Sequence, residues 1–194
     1  VNLRPEENFT WDLGAEYSFE YLEGYIDATV FHSRIDSLIS SYGSSAINLT
    51  SAAQIQGIEL SLVASPPGNA LKLTGSYTYT DTDDGTGQAL TRRPAHMASL
   101  SAIYQYSDKT SITSGVSYRG SRDDQDWVTC PSSGCRVTLP GYTLTNIAAN
   151  YQYSNQIELF GRIENLFNTR YEEIVNYSTK GRSAMVGIRF KGQP

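Results

Sequence analysis

Apolar and polar residues alternate with a period of two along most of the chain. In 71–79, Leu71, Leu73, Gly75, Tyr77 and Tyr79 fall on one face, and Lys72, Thr74, Ser76 and Thr78 on the other. That period belongs to a strand with one apolar and one polar face. The pattern recurs over 11–19, 22–30, 58–64, 98–106, 112–119, 146–153, 157–164 and 183–191, so nine strands are predicted. No segment sustains the 3.6-residue period of a helix. The connections are short near 19–23, 65–70, 106–110 and 153–156, and long near 37–50, 82–94, 120–141 and 165–182. Short turns at one end and long loops at the other describe an antiparallel up-and-down meander with the asymmetry of an outer-membrane barrel.

Aromatic placement separates lipid from water. Tyr17, Phe19 and Tyr21 gather at the first short turn, Tyr104 and Tyr106 at the third, and Tyr151 and Tyr153 at the fourth. Tyr77, Tyr79, Tyr118 and Tyr142 gather towards the long loops, while strand middles are Ala, Leu, Ile, Val and Gly. Two aromatic girdles around an aliphatic band are the mark of a lipid-facing barrel. A soluble β-sandwich also alternates but has no reason to put tyrosines at strand ends. The fold class expected is therefore all-β, an antiparallel up-and-down transmembrane β-barrel. Its polar face, with Asp12, Glu16, Asp27, Glu59, Lys72, Arg119, Glu158, Arg162, Glu164 and Arg189, then lines a lumen.

Composition narrows the function. The 194 residues carry 15 Lys plus Arg against 20 Asp plus Glu, a formal charge of −5. That balance excludes a phosphate-tracking nucleic-acid binder. Apolar residues are 39% and charged residues 18%, too few for an oily core yet not the composition of a disordered chain. No run of 18 apolar residues exists, so no transmembrane helix is expected. The chain starts at Val1, lacks a signal-peptide leader and has an odd strand count, so it is expected to be a piece of a larger barrel. An open sheet in lipid would leave two edges with unpaired backbone groups.

Cys130 and Cys135 lie in CPSSGC, beside the turn formers Pro131 and Gly134. A short-range disulfide and an oxidising compartment fit this best. No further ligands stand nearby for zinc, and the spacing is not C-x-x-C. His32 and His96 are the only histidines. Neither has a Ser or Asp at a meaningful spacing, so no catalytic residue and no enzyme activity is expected.

The C-terminal third resembles the end of a TonB-dependent outer-membrane receptor, through Asn165-Leu166-Phe167, Tyr171 and Gly181-Arg182 in IENLFNTRYEEIVNYSTKGRSAMVGIRF. LRPEENFTWDLGAEY and NLTSAAQIQGIELSL are similar to late barrel strands of that family, and TRRPAHMASLSAIYQY looks closest to its vitamin B12 (cobalamin) receptor subfamily. The resemblance implies the last nine strands of a 22-stranded barrel, with residues 1–191 as its C-terminal part and 192–194 as a tail. It departs from the family at Phe190-Lys191-Gly192-Gln193-Pro194, where an aromatic terminus is usual. It also implies a plug domain, absent from this chain, that contacts the TonB complex, a bacterial outer-membrane location among lipid and lipopolysaccharide, and active uptake of cobalamin or a related corrinoid. A ferric siderophore is the alternative ligand, and a passive porin the contrasting class.

Candidate ligand contacts in the long loops are Tyr42, Arg92, Arg93, Trp127 and Tyr177. Arg92-Arg93 reads equally as a fork for phosphate or another anion and as a strand start with cations at headgroup level. Trp127 reads as a ligand contact or as a packing anchor, and Asn165-Leu166-Phe167 as a structural turn. No cofactor is expected. Asp81, Asp83 and Asp84, and similarly Asp123, Asp124 and Asp126, are oxygen-rich enough to hold Ca²⁺, although neither set matches an EF-hand, and solvated loop carboxylates are the plainer reading.

Overall fold

A computed structural model describes residues 2–42, 45–68, 70–132 and 134–192, with the side chains of Ser41 and Tyr42 outside that description. Thirteen strands follow one another among the described residues: β1 (Glu7–Phe19), β2 (Gly24–Asp36), β3 (Ile39–Tyr42), β4 (Ser45–Asn48), β5 (Ala53–Ala64), β6 (Leu71–Asp83), β7 (His96–Ser107), β8 (Thr110–Arg119), β9 (Arg122–Asp126), β10 (Cys135–Leu139), β11 (Tyr142–Gln152), β12 (Ile157–Glu164) and β13 (Ser183–Phe190). Nine form one sheet in the order β1-β2-β5-β6-β7-β8-β11-β12-β13, each pairing antiparallel with its neighbour. These are the nine strands of the period-two pattern. The other four form two hairpins, β3–β4 and β9–β10, inside long loops. The sheet is open, with β1 and β13 as its edges. Gln193 and Pro194 of the expected tail lie outside the described residues.

Register converts the alternation into two walls. One outward row runs Tyr17–Ile26–Leu62–Gly75–Leu100–Val116–Thr145 across seven strands. Its continuation includes Ala149–Gly161–Val186 and Tyr151–Leu159–Ile188 on β11, β12 and β13. A one-residue slip at any pairing would move the whole apolar set to the other wall. Ring pairs at the short-turn end, Tyr17–Phe19 and Tyr104–Tyr106, form the lower girdle there. Towards the loops, Trp11 stacks on His32, and His96 packs on Tyr77 and Tyr79, so both histidines belong to the upper girdle. His96 opens β7 rather than preceding it.

Solvent area identifies the medium this sheet requires. The chain exposes 13179 Å², against about 9,100 Å² for a compact soluble monomer of this mass. Leu13 is 70% exposed, Leu100 50% and Val186 84%. Among the described residues the buried apolar set is Ala53, Ala64, Leu139 and Tyr142. A single-layer sheet has no second layer on which to bury its aliphatic wall, and lipid supplies that layer.

The strands outrun the sequence pattern. β1, β2 and β6 have 13 residues each. At about 3.3 Å per residue they exceed an apolar band about 25 Å tall even when tilted. Their loop ends therefore stand clear of the hydrocarbon. There the outward wall turns polar, with the row Phe9–Arg34–Gln54–Asp83 and a hydrogen bond from Gln56 to Asp81. Polar residues broke the alternation at these ends, so the pattern located the membrane band rather than the strands.

The inward wall is polar but uneven. Glu16 faces Asp27 directly across β1 and β2, with Asp12 and Glu59 on the same wall, and among the described residues none of the four forms an ion pair. On β12 and β13, Glu158 instead pairs with Arg189 and Lys191, and Glu164 with Arg162 and Lys180. Phe31 lies over Gly57, where an added Cβ would come within 2.8 Å of its ring, and Phe160 lies in the same way over Gly187. Tyr142 corrects the expected girdle. It pairs with Arg119 on the inward wall and is buried, because residues of the last long loop cover it.

Leu100→Arg, in the middle of the outward wall, is expected to cost about 2–4 kcal/mol. The neighbouring inward-facing Ser101→Arg is expected to be near neutral. Urea-dependent folding in lipid vesicles, read as heat-modifiable gel mobility, measures both, and equal effects would contradict the assignment of walls.

Candidate functional site: the interlocked loop end

Three long connections meet above the sheet, spanning 84–95, 120–141 and 165–182. The middle one carries the β9–β10 hairpin, whose far end is closed by the Cys130–Cys135 disulfide with Cα atoms 5.6 Å apart. The disulfide expected from CPSSGC is thus present. β9 alternates like the barrel strands, but its buried residues are charged: Arg122, Asp124 and Asp126.

These three side chains grip the last loop in order. Arg122 Nη2 donates to the Glu172 carbonyl at 2.6 Å. Val175 N–H donates to Asp124 Oδ2 at 2.9 Å, and Asn176 Nδ2 to Asp126 Oδ1 at 2.9 Å. On the other side, Arg92 Nε donates to Asp124 Oδ1 at 2.6 Å and Arg92 N–H to the Asp123 carbonyl at 2.7 Å. Arg136 reaches from β10 to Asp123 at 2.7 Å, to Gln88 Oε1 at 3.0 Å and to the Ala89 carbonyl. Thr138 Oγ1 also donates to Asp123. Below, Tyr171 packs on Tyr142 with ring centroids 4.3 Å apart, Tyr142 OH donates to Glu173, and the Arg122 guanidinium lies over the Tyr142 ring. Arg122 Nη1 is buried and has no hydrogen-bond partner among the described residues.

The electrostatics follow from those donors. Burial works to raise the Asp124 carboxyl, but the Val175 N–H, the Arg92 guanidinium and the Gln125 N–H outweigh it and hold the group below its ordinary value. Asp123 is held low by Thr138 and Arg136, and Asp126 by Thr129, Val128 and Asn176. At Asp84 burial again opposes, and the bonds from Thr86 and Gln88 prevail.

The structure places each candidate contact. Arg92 has φ of 61°, and its Nε forms an ion pair with a buried carboxylate while its side chain stays half exposed. Arg93 is exposed beside it. Trp127, which follows β9, is 40% exposed and Tyr177 is 68% exposed. The two are carried on segments that Asp126 and Asn176 hold together. Tyr42 ends β3, and its side chain is outside the described residues. Asp83 and Asp84 cap amides of their own turn, from Gly85, Gly87, Thr86 and Gln88, while Asp81 lies on β6 bonded to Gln56. Among the described residues no three His, Cys, Asp or Glu side chains converge as a metal site would require.

The expectation of solvated carboxylates in 123–126 is corrected for Asp124 and Asp126, which are buried because loop amides and side chains replace their water. Asn165 is buried as well and braces the turn through Thr169 N–H and the Thr169 carbonyl, which is the structural role expected of Asn165-Leu166-Phe167. The sequence pattern gave no role to Arg122 or Arg136, placed Tyr142 in the girdle and marked Tyr171 only as part of the family signature. The period-two placement of charge in RDDQD was the one available signal. A cleft of about 660 Å³ opens beside the network, lined by Pro140, Arg170, Tyr171, Glu172, Thr179 and neighbours. Its size suits a small-molecule group.

Carboxylates with lowered values stabilise the folded loops above the ordinary carboxylate range of about 4, and that contribution is lost as pH falls through the lowered values. Acid should therefore release 172–177 while the barrel strands stay protected. Amide hydrogen exchange in detergent at pH 6 and pH 3, corrected for intrinsic rates, checks this. Unchanged protection of 172–177 would contradict it.

Comparison with known proteins agrees with this architecture. A family model described as "TonB dependent receptor-like, beta-barrel" matches residues 1–166. The chain is 30% identical over 199 aligned residues to the "Vitamin B12 transporter BtuB" of Photobacterium profundum, covering 98% of this chain and 31% of that protein. It superposes on the ferripyoverdine receptor of the outer membrane of Pseudomonas aeruginosa with a TM-score of 0.79, 19% identity and coverage of 97% and 27% of the two chains. For the ferric-catecholate import receptor Fiu from K12 E. coli the TM-score is 0.76, with 20% identity and coverage of 97% and 28%. The chain thus spans about a third or less of the length of these relatives. It belongs to the TonB-dependent receptor-like β-barrel family of the bacterial outer membrane.

Proposed function

We propose that the protein acts in active uptake of cobalamin or a related corrinoid across the outer membrane, energised through TonB. The observation that carries the substrate is the 30% identity to a vitamin B12 transporter along 98% of this chain, loops included. In this reading the nine strands are the C-terminal arc of a 22-stranded barrel, closed between β1 and β13 by further strands and filled by a plug domain that TonB engages. The loops capture the ligand, with Trp127 and Tyr177 offering aromatic contact. The polar inward wall gives a hydrated path once the plug moves. Nothing in the mechanism requires a covalent step.

A ferric siderophore is the second reading. Exposed Arg93 and Arg170 beside the loop network favour it, since many ferric chelates are anions and guanidinium forks match their oxygens. Membership of a receptor family gives the passive porin little support.

Equilibrium binding to the receptor extracted in detergent separates the two ligands. Saturable binding of cyanocobalamin, weakened at least about fivefold by Trp127→Ala, is the expected result. Saturation by a ferric siderophore and not by cyanocobalamin would overturn the corrinoid assignment and keep the transport mechanism.

A further inference from the structure

We infer that Asp124 is a positioning residue that makes the connections 84–95 and 165–182 behave as one body. Its consequence for ligand capture rests on the uptake reading above, whereas the coupling does not.

One carboxylate holds both connections. Asp124 is 0% exposed, with Arg92 Nε on Oδ1 and Val175 N–H on Oδ2. Gln125 N–H also donates to Oδ1, so the group is anchored to its own strand. The two gripping segments adopt backbone conformations that L-residues rarely hold. Arg92 has φ of 61°, and Asn176, bonded to Asp126, has φ of 66°. Such conformations persist where surrounding contacts over-determine them. Arg92 is held by Asp123 and Asp124 of β9, and Asn176 by Asp126 of β9 together with Glu172 of its own loop, so each loop's shape depends in part on the strand between them. If Arg92 leaves, Asp124 becomes a buried carboxylate without its cation. Its hold on Val175 then weakens, although Arg92 and Val175 themselves share no bond.

The site needs two acceptor oxygens facing three donors, Arg92 and the Gln125 N–H on Oδ1 and the Val175 N–H on Oδ2. Asn has nearly the same shape but one oxygen and one NH₂. Whichever way it turns, a donor meets either the Arg92 guanidinium or the Val175 N–H. Asn also lacks the negative charge that holds the Arg92 guanidinium in either orientation, so Asp124→Asn should loosen both connections. In the double variant Arg92→Gln/Asp124→Asn, the new amide can turn its oxygen to Val175 and its NH₂ to the Gln carbonyl, which restores the Val175 side while the NH₂ still faces the Gln125 N–H.

Hydrogen exchange on the receptor extracted in detergent at pH 7 tests the coupling. Asp124→Asn is expected to speed exchange about tenfold or more in both 88–93 and 172–177, with the barrel strands unchanged. The double variant should recover part of the protection in 172–177. Faster exchange in only one segment, or a double variant no better than Asp124→Asn, would overturn the inference. Should Asp124→Asn not be recovered folded, Arg92→Ala alone decides. It must speed exchange in 172–177, and unchanged exchange there overturns the coupling.

Cyanocobalamin titration of the same samples reads the consequence. A rise in Kd of about tenfold or more in Asp124→Asn, reversed in part by the double variant, supports positioning of the capture surface. An unchanged Kd with faster exchange refutes that role. Absence of binding by the unsubstituted receptor counts against the corrinoid reading alone, and the exchange result still decides the coupling.

Discussion

The structure depends on one requirement, that every backbone N–H and C=O within the hydrocarbon be paired. Lipid offers no alternative partner, and each unpaired group there costs several kcal/mol. Nine strands joined in sequence order by antiparallel ladders meet that requirement along the whole sheet except at the edges β1 and β13. Antiparallel order follows from the short turns, which return the chain beside itself. Once the ladders are in register, period two divides the residues into a lipid wall and a lumen wall.

The two walls obey opposite rules. Outside, aliphatic side chains need no protein contact, which is why Leu13 and Val186 are largely bare while the fold has almost no core of its own. Inside, charges are tolerated and can pair, as Glu158 does with Arg189 and Lys191. The acidic stretch of Glu16 and Asp27 is different, since like charges directly opposite disfavour the pairing. Apolar area on the outward wall carries that penalty, so the lumen is free to be electrostatically uneven.

Beyond the hydrocarbon, neither lipid nor an apolar core can hold the loops. Hydrogen bonds to charged groups do so instead. Such bonds are stronger than neutral ones, and a carboxylate takes several donors at once. β9 is a short strand with Arg122, Asp124 and Asp126 on one buried face, set between two loops that bring amides, a guanidinium and a carbonyl to it. Trp127 and Tyr177 are left exposed on a surface ordered from beneath. In the uptake reading proposed above, contacts ordered before the ligand arrives would lose less entropy on capture.

The barrel was legible because period two and the aromatic girdles are local consequences of which wall each residue faces. Leu71 to Tyr79 needs no knowledge of its neighbours to be read as a strand in lipid. The Cys130–Cys135 bridge was legible for the same reason, since its partners are near in sequence and joined by a turn. Long-range geometry decided the rest. Asp124 looks like any loop carboxylate until Arg92 and Val175, 32 and 51 residues away, converge on it. Tyr142 looks like one more girdle tyrosine until its pairing with Arg119 turns it inward and Tyr171 covers it. A loop side chain's role is set by the donors that fold onto it, and only the tertiary structure brings those together.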